Sequence, residues 1–328
     1  RRRRVTMAAA ATLAGKILAR ASGQAQVRPG QIVTCVVDLL MMHDSGGPRR
    51  IAARLQQLGA RVWDPERVVV VSDHFVPATD LDAAEILALT RRWSREQGVR
   101  HYDSVGICHV VLQEHGHVQP GMFCVGGDSH SPSGGAVGAW MVGVGATEVT
   151  GVLATGELWI KVPQSVRIEC EGTLAAGVSA KDIMLHLCAR LGMDNDALVF
   201  EYGGAAVRAM PMAERLVLCN MAAELGCETG LVEPDAVTLE ALAQAGRPFV
   251  GDVGHWRSDP GAAYAATHRV DCTQLAPQVA APHSPANSAP VGGVDRGVRI
   301  DQAYIGACTG AKLSDLRMAA AVLKGRTV

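Results

Sequence analysis

The feature that most limits what this chain can fold into is a repeated motif. A short apolar or β-branched run stops abruptly in small and ionisable residues, and a helix-like segment follows. Val68-Val-Val-Val-Ser72 runs into Asp73-His74, and Met122-Phe-Cys-Val125 runs into Gly126-Gly-Asp-Ser-His130. Apolar runs of this length, with no polar alternation, suit strands buried on both faces, and such strands belong to parallel sheets covered by helices. The fold class is therefore α/β, with three-layer α/β/α domains and mostly parallel sheets. In open sheets of this kind ligands bind beyond the carboxyl ends of the strands, which is where both motifs put their ionisable groups. Val105-Gly-Ile-Cys-His109 has the same look, although Val110-Val-Leu-Gln-Glu114 after it suits either strand or helix.

The pattern divides the chain into four stretches. Residues 1–163 form a first α/β domain that carries the His/Asp loops and includes a helix over Thr12–Ala21 with the apolar spacing of a surface helix. Residues 164–276 form a second α/β domain, opened by the alternating strand Val166-Arg-Ile-Glu-Cys-Glu-Gly172 and by Ser179 as N-cap to the helix Ile183–Leu191. Residues 277–297 are a Pro-rich interdomain connection in extended, non-helical chain. Residues 298–328 open a third α/β domain: a strand through Gln302–Ala307 ends at Cys308, and a helix runs over Leu313–Leu323.

Composition removes several function classes. With 48% apolar residues in 328, the chain is too apolar for disorder and long enough for a substantial core. A formal charge of −1 with no basic stripe leaves nothing to recognise a phosphate backbone, so nucleic acid is not an expected partner. No apolar run reaches the ~20 residues a membrane-spanning helix needs. The nine cysteines are scattered and odd in number, which fits a reducing, cytoplasmic setting. Arg1–Arg4 followed by Met7-Ala-Ala-Ala has the flavour of a targeting leader, but the periodic helix behind it favours a mature cytoplasmic domain. The Arg at position 1 and the brief third domain raise the expectation of a fragment, or of a split protein completed by a separate chain.

Two Asp–His pairs at one sheet edge, Asp73-His74 and Asp128-Ser-His130, are candidate acid–base groups, because a carboxylate fixes an imidazole's tautomer and raises its basicity. A single such pair most often caps a helix or satisfies buried backbone; two at the same edge weigh toward chemistry. Cys308, after a strand and near a helix N-terminus, sits where the dipole stabilises a thiolate, as nucleophile or metal ligand. The other eight cysteines lie in apolar segments and read as inert core thiols. A mononuclear metal held by His74, His109 and His130 ranks lower, since the carboxylates beside two of them look like acid–base helpers. The glycines match neither a nucleotide P-loop nor a dinucleotide fingerprint.

Taken in order, Met42-His-Asp44, Ser72-Asp-His-Phe-Val-Pro77, Gly106-Ile-Cys-His109, Gly127-Asp-Ser-His130, Cys219-Asn-Met-Ala-Ala-Glu224 and Ile305-Gly-Ala-Cys-Thr309 resemble the aconitase superfamily. The similarity runs from Thr12 to Lys324 and is nearest to the large subunits of 3-isopropylmalate dehydratase and archaeal-type homoaconitase. It implies a hydro-lyase with a [4Fe-4S] cluster on three cysteines, whose open iron binds the substrate hydroxyl and a carboxylate. By the same resemblance Asp73 and His74 assist departure of the hydroxyl, His109 pairs with Asp128 at the substrate, and Glu224 polarises His130. Ser129 contacts a substrate carboxylate, Asn220 hydrogen-bonds near the cluster, His43 lines the pocket, and Cys308 is the first cluster ligand. The family's other two ligands come from a downstream Cys-x-x-Cys, a motif this sequence does not contain. Gly310 also departs from the commoner Cys-Thr-Asn. The resemblance further implies a small swivelling partner subunit and a hydroxy di- or tricarboxylic acid substrate. The competing expectation is a cluster-free homologue that binds carboxylates or assists assembly.

Overall fold

Five strands, Arg100–Asp103, Val68–Ser72, Leu39–His43, Phe123–Gly126 and Trp140–Gly143 in that spatial order, form a wholly parallel sheet in the computed structural model, which describes residues 10–294 and 297–327. The three inner strands are buried along their whole length. Alternation sends their side chains to two cores. Leu40, Met42, Val68 and Val70 pack with Ile17, Ile51 and Val152 from the helices Leu13–Ala21, Pro48–Gln57 and Ala146–Thr155. Leu39, Met41, Val69 and Val71 pack with Val111 and Leu112 of the helix Cys108–Glu114. These are the three α/β/α layers, and each fully buried Val or Leu contributes roughly 1.5–3 kcal/mol. Strand order reverses once: the chain steps outward from Leu39–His43 to one edge, then crosses back to Phe123–Gly126. The crevice at that reversal is where an open α/β sheet binds its ligand.

A second parallel sheet, in the order Thr229–Val232, Leu198–Gly203, Gln164–Glu171 and Ala266–Asp271, has its own core. Ser179 and Asp182 form a capping box at the start of the helix Ala180–Leu191. The sheets adjoin where the 3-10 turn Ser131–Val137 lies on the Thr229–Val232 strand and the helix Met212–Asn220, and Thr229 donates to the Met141 carbonyl at 2.7 Å. A Cβ at Gly135 would overlap the Gly230 carbonyl oxygen, so this approach requires glycine.

Five sequence expectations change. The Thr12–Ala21 helix begins at Leu13 with Thr12 as its cap, and six of its residues are buried, so it is a core helix more than a surface one. The run Val105–Cys108 is not a strand: Gly106, at φ +152°, breaks it, and Cys108–Glu114 is helix with His109 in its first turn. The preceding strand, Arg100–Asp103, went unanticipated because an edge strand half open to water carries no apolar run. The stretch leading to Cys308 forms no strand, because no neighbouring strand pairs with it among the described residues; the helix Leu313–Leu323 does form, with none of its residues buried. The Pro-rich segment is not extended throughout: Gln278–Ala280 pairs with Ser288–Pro290 in a short antiparallel ribbon, and 3-10 turns stand at Pro285–Asn287 and Val291–Gly293. The leader-like Arg1–Arg4 and Met7 lie outside the described residues. No helix among the described residues is long and apolar enough to cross a membrane.

Candidate active site

The two strands flanking the reversal end in His43-Asp44 and Gly127-Asp128, and the next strand outward ends in Asp73-His74. His109 comes from the first helical turn beside them. Asp128 is the meeting point. One oxygen of its carboxylate accepts from His109 Nε2 at 2.8 Å and from the His130 amide at 2.8 Å. The other faces His43 Nε2 at 3.5 Å and His74 Nε2 at 3.6 Å. Burial by itself would raise this carboxyl's pKa, but the hydrogen bond from His109 and the facing His74 ring together outweigh it and hold Asp128 far below the usual carboxylate range.

His74 lies between two carboxylates. Its Nδ1 is 2.7 Å from Asp73, whose other oxygen accepts the Cys108 amide at 2.7 Å. The facing Asp128 carboxylate, then the hydrogen bond to Asp73, raises His74 from its ordinary 6.5 to about 10, so it is an imidazolium at neutral pH. His43 stacks flat on this ring, with centroids 3.9 Å apart and planes 11° from parallel. The Gly46 amide donates to His43 Nδ1, which leaves the proton on Nε2 to be donated to the Gly127 carbonyl at 3.0 Å. Burial first, and then the His74 charge, lower the His43 pKa, so His43 is neutral.

The His130 ring keeps Nδ1 3.8 Å from Asp128 but gives its hydrogen bond to Glu224. Its Nε2 is 3.1 Å from Glu224, which raises its pKa against the opposing effect of burial, while Nδ1 stands 3.3 Å from the exposed Ser129 hydroxyl. Two buried atoms of this group, Glu224 Oε2 and His109 Nδ1, have no hydrogen-bond partner. Leaving such atoms unpaired costs roughly 1–3 kcal/mol each. Asn220 is buried, and Cys308 donates to its Oδ1 at 3.5 Å. Burial raises the Cys308 pKa, and Asp128 and Glu224 add to the rise. The thiolate expected from the helix dipole is therefore not favoured, because burial and the charges of Asp128 and Glu224 oppose it and the helix begins only at Leu313.

Two metal arrangements can be tested on these residues. His43, Asp44, Asp73 and His74 bring ligand atoms within 4.8 Å of one another. Yet both His43 nitrogens bond backbone, and the Asp44 oxygens take three amide protons. His43 has no lone pair to spare, three of about four on Asp44 are taken and His74 is protonated, so the set does not suit a cation. For the [4Fe-4S] cluster the resemblance implies, the described residues bring one accessible thiol, Cys308, to the crevice, while the Cys108 thiol lies fully buried against Asp73. Of the other eight, Cys227 is half-buried and seven are buried. One thiolate does not hold four irons, so the described residues do not make a cluster site and no step below runs through one.

A family model for the aconitase family (aconitate hydratase) matches residues 15–296. The 3-isopropylmalate dehydratase large subunit 1 of Methanopyrus kandleri is 45% identical over 97% of this chain and 75% of its own length. A probable methanogen homoaconitase large subunit of Methanothermobacter thermautotrophicus is 42% identical over 95% of this chain and 74% of its own length. Archaeoglobus fulgidus has a 3-isopropylmalate dehydratase large subunit 1 that is 42% identical over 97% of this chain and 76% of its own. With a family match over most of the chain and relatives this similar, the chain belongs to the aconitase family of hydro-lyases.

Proposed function

We propose that this chain is the large-subunit side of a hydro-lyase that shifts a hydroxyl between adjacent carbons of a 3-isopropylmalate- or homocitrate-like acid by removing and re-adding water. The observation that carries the reading is the convergence of His43, His74 and His109 on the one carboxylate of Asp128, with His74 protonated. The relatives' names, which specify large subunits, support a small partner subunit, and the base that takes the carbon-bound proton is assigned to it.

His74 supplies the proton that turns the departing hydroxyl into water and takes it back on rehydration. At rest it binds that proton tightly, but its Asp128 contact, at 3.6 Å, is the looser of the two and the largest cause of the raised pKa. Turning from Asp128 toward the substrate hydroxyl removes that cause and lets the proton go. Asp73 keeps the ring aligned. His109 stands at the substrate with Nε2 on Asp128, the exposed Ser129 hydroxyl takes a substrate carboxylate, and Glu224 polarises His130 beside it. Nine cysteines with no disulfide among them support a cytoplasmic setting.

A second reading is a cluster-free homologue that binds hydroxy acids without turning them over. The two separate when the chain, joined with a relative's small subunit and a segment supplying the missing cluster ligands, is loaded with iron and sulfide and given 3-isopropylmalate or homocitrate. Interconversion of hydroxyl isomers, followed by NMR, is the expected result. Tight binding without interconversion supports the second reading, and neither binding nor turnover defeats both.

A further inference from the structure

We propose that Asp44 is a positioning residue for His74: a fully buried carboxylate that holds the backbone amides of His74 and Phe75 and so sets where the imidazole stands between Asp73 and Asp128. The inference rests on the function proposed above for His74 and adds a residue to which the family resemblance assigned no role.

Asp44 is 0% exposed, in the loop that follows the Leu39–His43 strand. Its Oδ1 accepts from its neighbour Ser45 at 3.0 Å and from the His74 amide at 3.1 Å, and its Oδ2 accepts from the Phe75 amide at 3.0 Å. Two of these donors belong to a different loop, thirty positions away, and one is the amide of the acid–base residue. Among the described residues no lysine or arginine pairs with this carboxylate; its ion contact is His74 Nδ1 at 3.9 Å. A buried carboxylate with no closer counter-charge is costly, and three amide donors are what compensate it. An Asp that only shaped its own turn would bond its own loop. This one spends two of three bonds on the loop carrying His74.

The grip is double, because the neighbouring residue holds the other side of the same histidine. His43 stacks on the His74 ring while Asp44 fixes the His74 backbone, and the Asp44 amide donates to the Val71 carbonyl at 3.2 Å, locking the dipeptide to the Val68–Ser72 strand. The charged and titratable groups facing His74 are Asp73, Asp128 and Asp44, with neutral His43 on its face. Asparagine fits the space but not the chemistry: turning its amide either way sets an N–H against the amide of Phe75 or those of Ser45 and His74. Alanine removes all three bonds.

The test is a pH titration of the full chain with 15N-labelled histidine, wild type beside Asp44→Asn and Asp44→Ala. In the wild type the His74 ring stays doubly protonated through neutral pH. In Asp44→Asn its half-titration moves down by about one pH unit or more, while that of His130, held by Glu224, stays in place. In the reconstituted two-subunit enzyme kcat falls about tenfold to a hundredfold with KM little changed, as a displaced catalytic group produces, and Asp44→Ala falls further. A lowered unfolding temperature with an unmoved His74 titration overturns the proposal and leaves Asp44 a structural residue. If neither variant folds, hydrogen exchange of the wild-type chain decides, since the His74 and Phe75 amides must exchange slowly, and fast exchange overturns it. Unimpaired turnover in a His74→Gln enzyme defeats the proposed function instead, and does so without touching the titration result.

Discussion

Asp128→Asn lowers turnover about a thousandfold, within the range set by loss of an acid–base group, and leaves a folded protein. An asparagine carbonyl can still accept from His109 Nε2 and the His130 amide, so the turn survives. Its NH2 then faces the Nε2 protons of both His43 and His74, donor against donor, where the carboxylate oxygen stood. His74 loses the largest of the contacts that raise it to about 10. The sign is definite. A histidine whose folded pKa exceeds its ordinary 6.5 contributes stability that is whole below 6.5 and lost as pH rises toward about 10. In the Asp128→Asn variant that window shrinks from its alkaline end, and activity, which needs the protonated ring, falls off at lower pH. Steady-state rates across pH, with unfolding curves for both proteins, check this. A rate within tenfold of wild type would remove Asp128 from the centre of the account.

Gly135→Ala is expected to be among the most destabilising single-methyl changes in the chain, at about 3 kcal/mol or more, or to prevent folding. The added carbon meets the Gly230 carbonyl oxygen, and backbone on both sides leaves no flexible side chain to yield. The contact lies where the Ser131–Val137 turn wedges between the two sheets. Ser131 starts that turn, and its hydroxyl donates to the Asp128 carbonyl at 2.7 Å, so pushing the turn outward also shifts the catalytic carboxylate. Urea unfolding of wild type and variant measures the loss. A change under about 1 kcal/mol would mean the two sheets part easily, against the close packing described.

How far the sequence revealed this molecule depended on whether a feature was local. The Val68–Ser72 and Phe123–Gly126 strands were legible because burial on both faces writes an unbroken apolar run, and the Ser179 cap because its partner Asp182 is three residues away. The edge strand Arg100–Asp103 was not, because half its surface meets water and nothing in Arg-His-Tyr-Asp announces a strand. At Cys308 a strand-like run stays irregular, since a strand exists only with a neighbour to bond. Spacing alone suggested Asp128 and His130 as a pair. The fold instead gives the closer ring contact of His130 to Glu224, 94 positions away, and leaves Asp128 its amide bond and a 3.8 Å contact with Nδ1. Family resemblance named that partner, and residue spacing did not. Asp44 was visible only as part of a motif; its value lies in two amides beyond another strand, which no local pattern encodes.

The central claim is that this chain's His74 carries the proton in loss and return of water. It is tested most directly by supplying the reconstituted enzyme with the unsaturated diacid formed by removing water from 3-isopropylmalate, in 18O-labelled water, and following labelled hydroxy acid by mass spectrometry. The account predicts labelled product from the wild type and a rate lower by about a hundredfold or more from His74→Gln. Equal rates from the two proteins would contradict it.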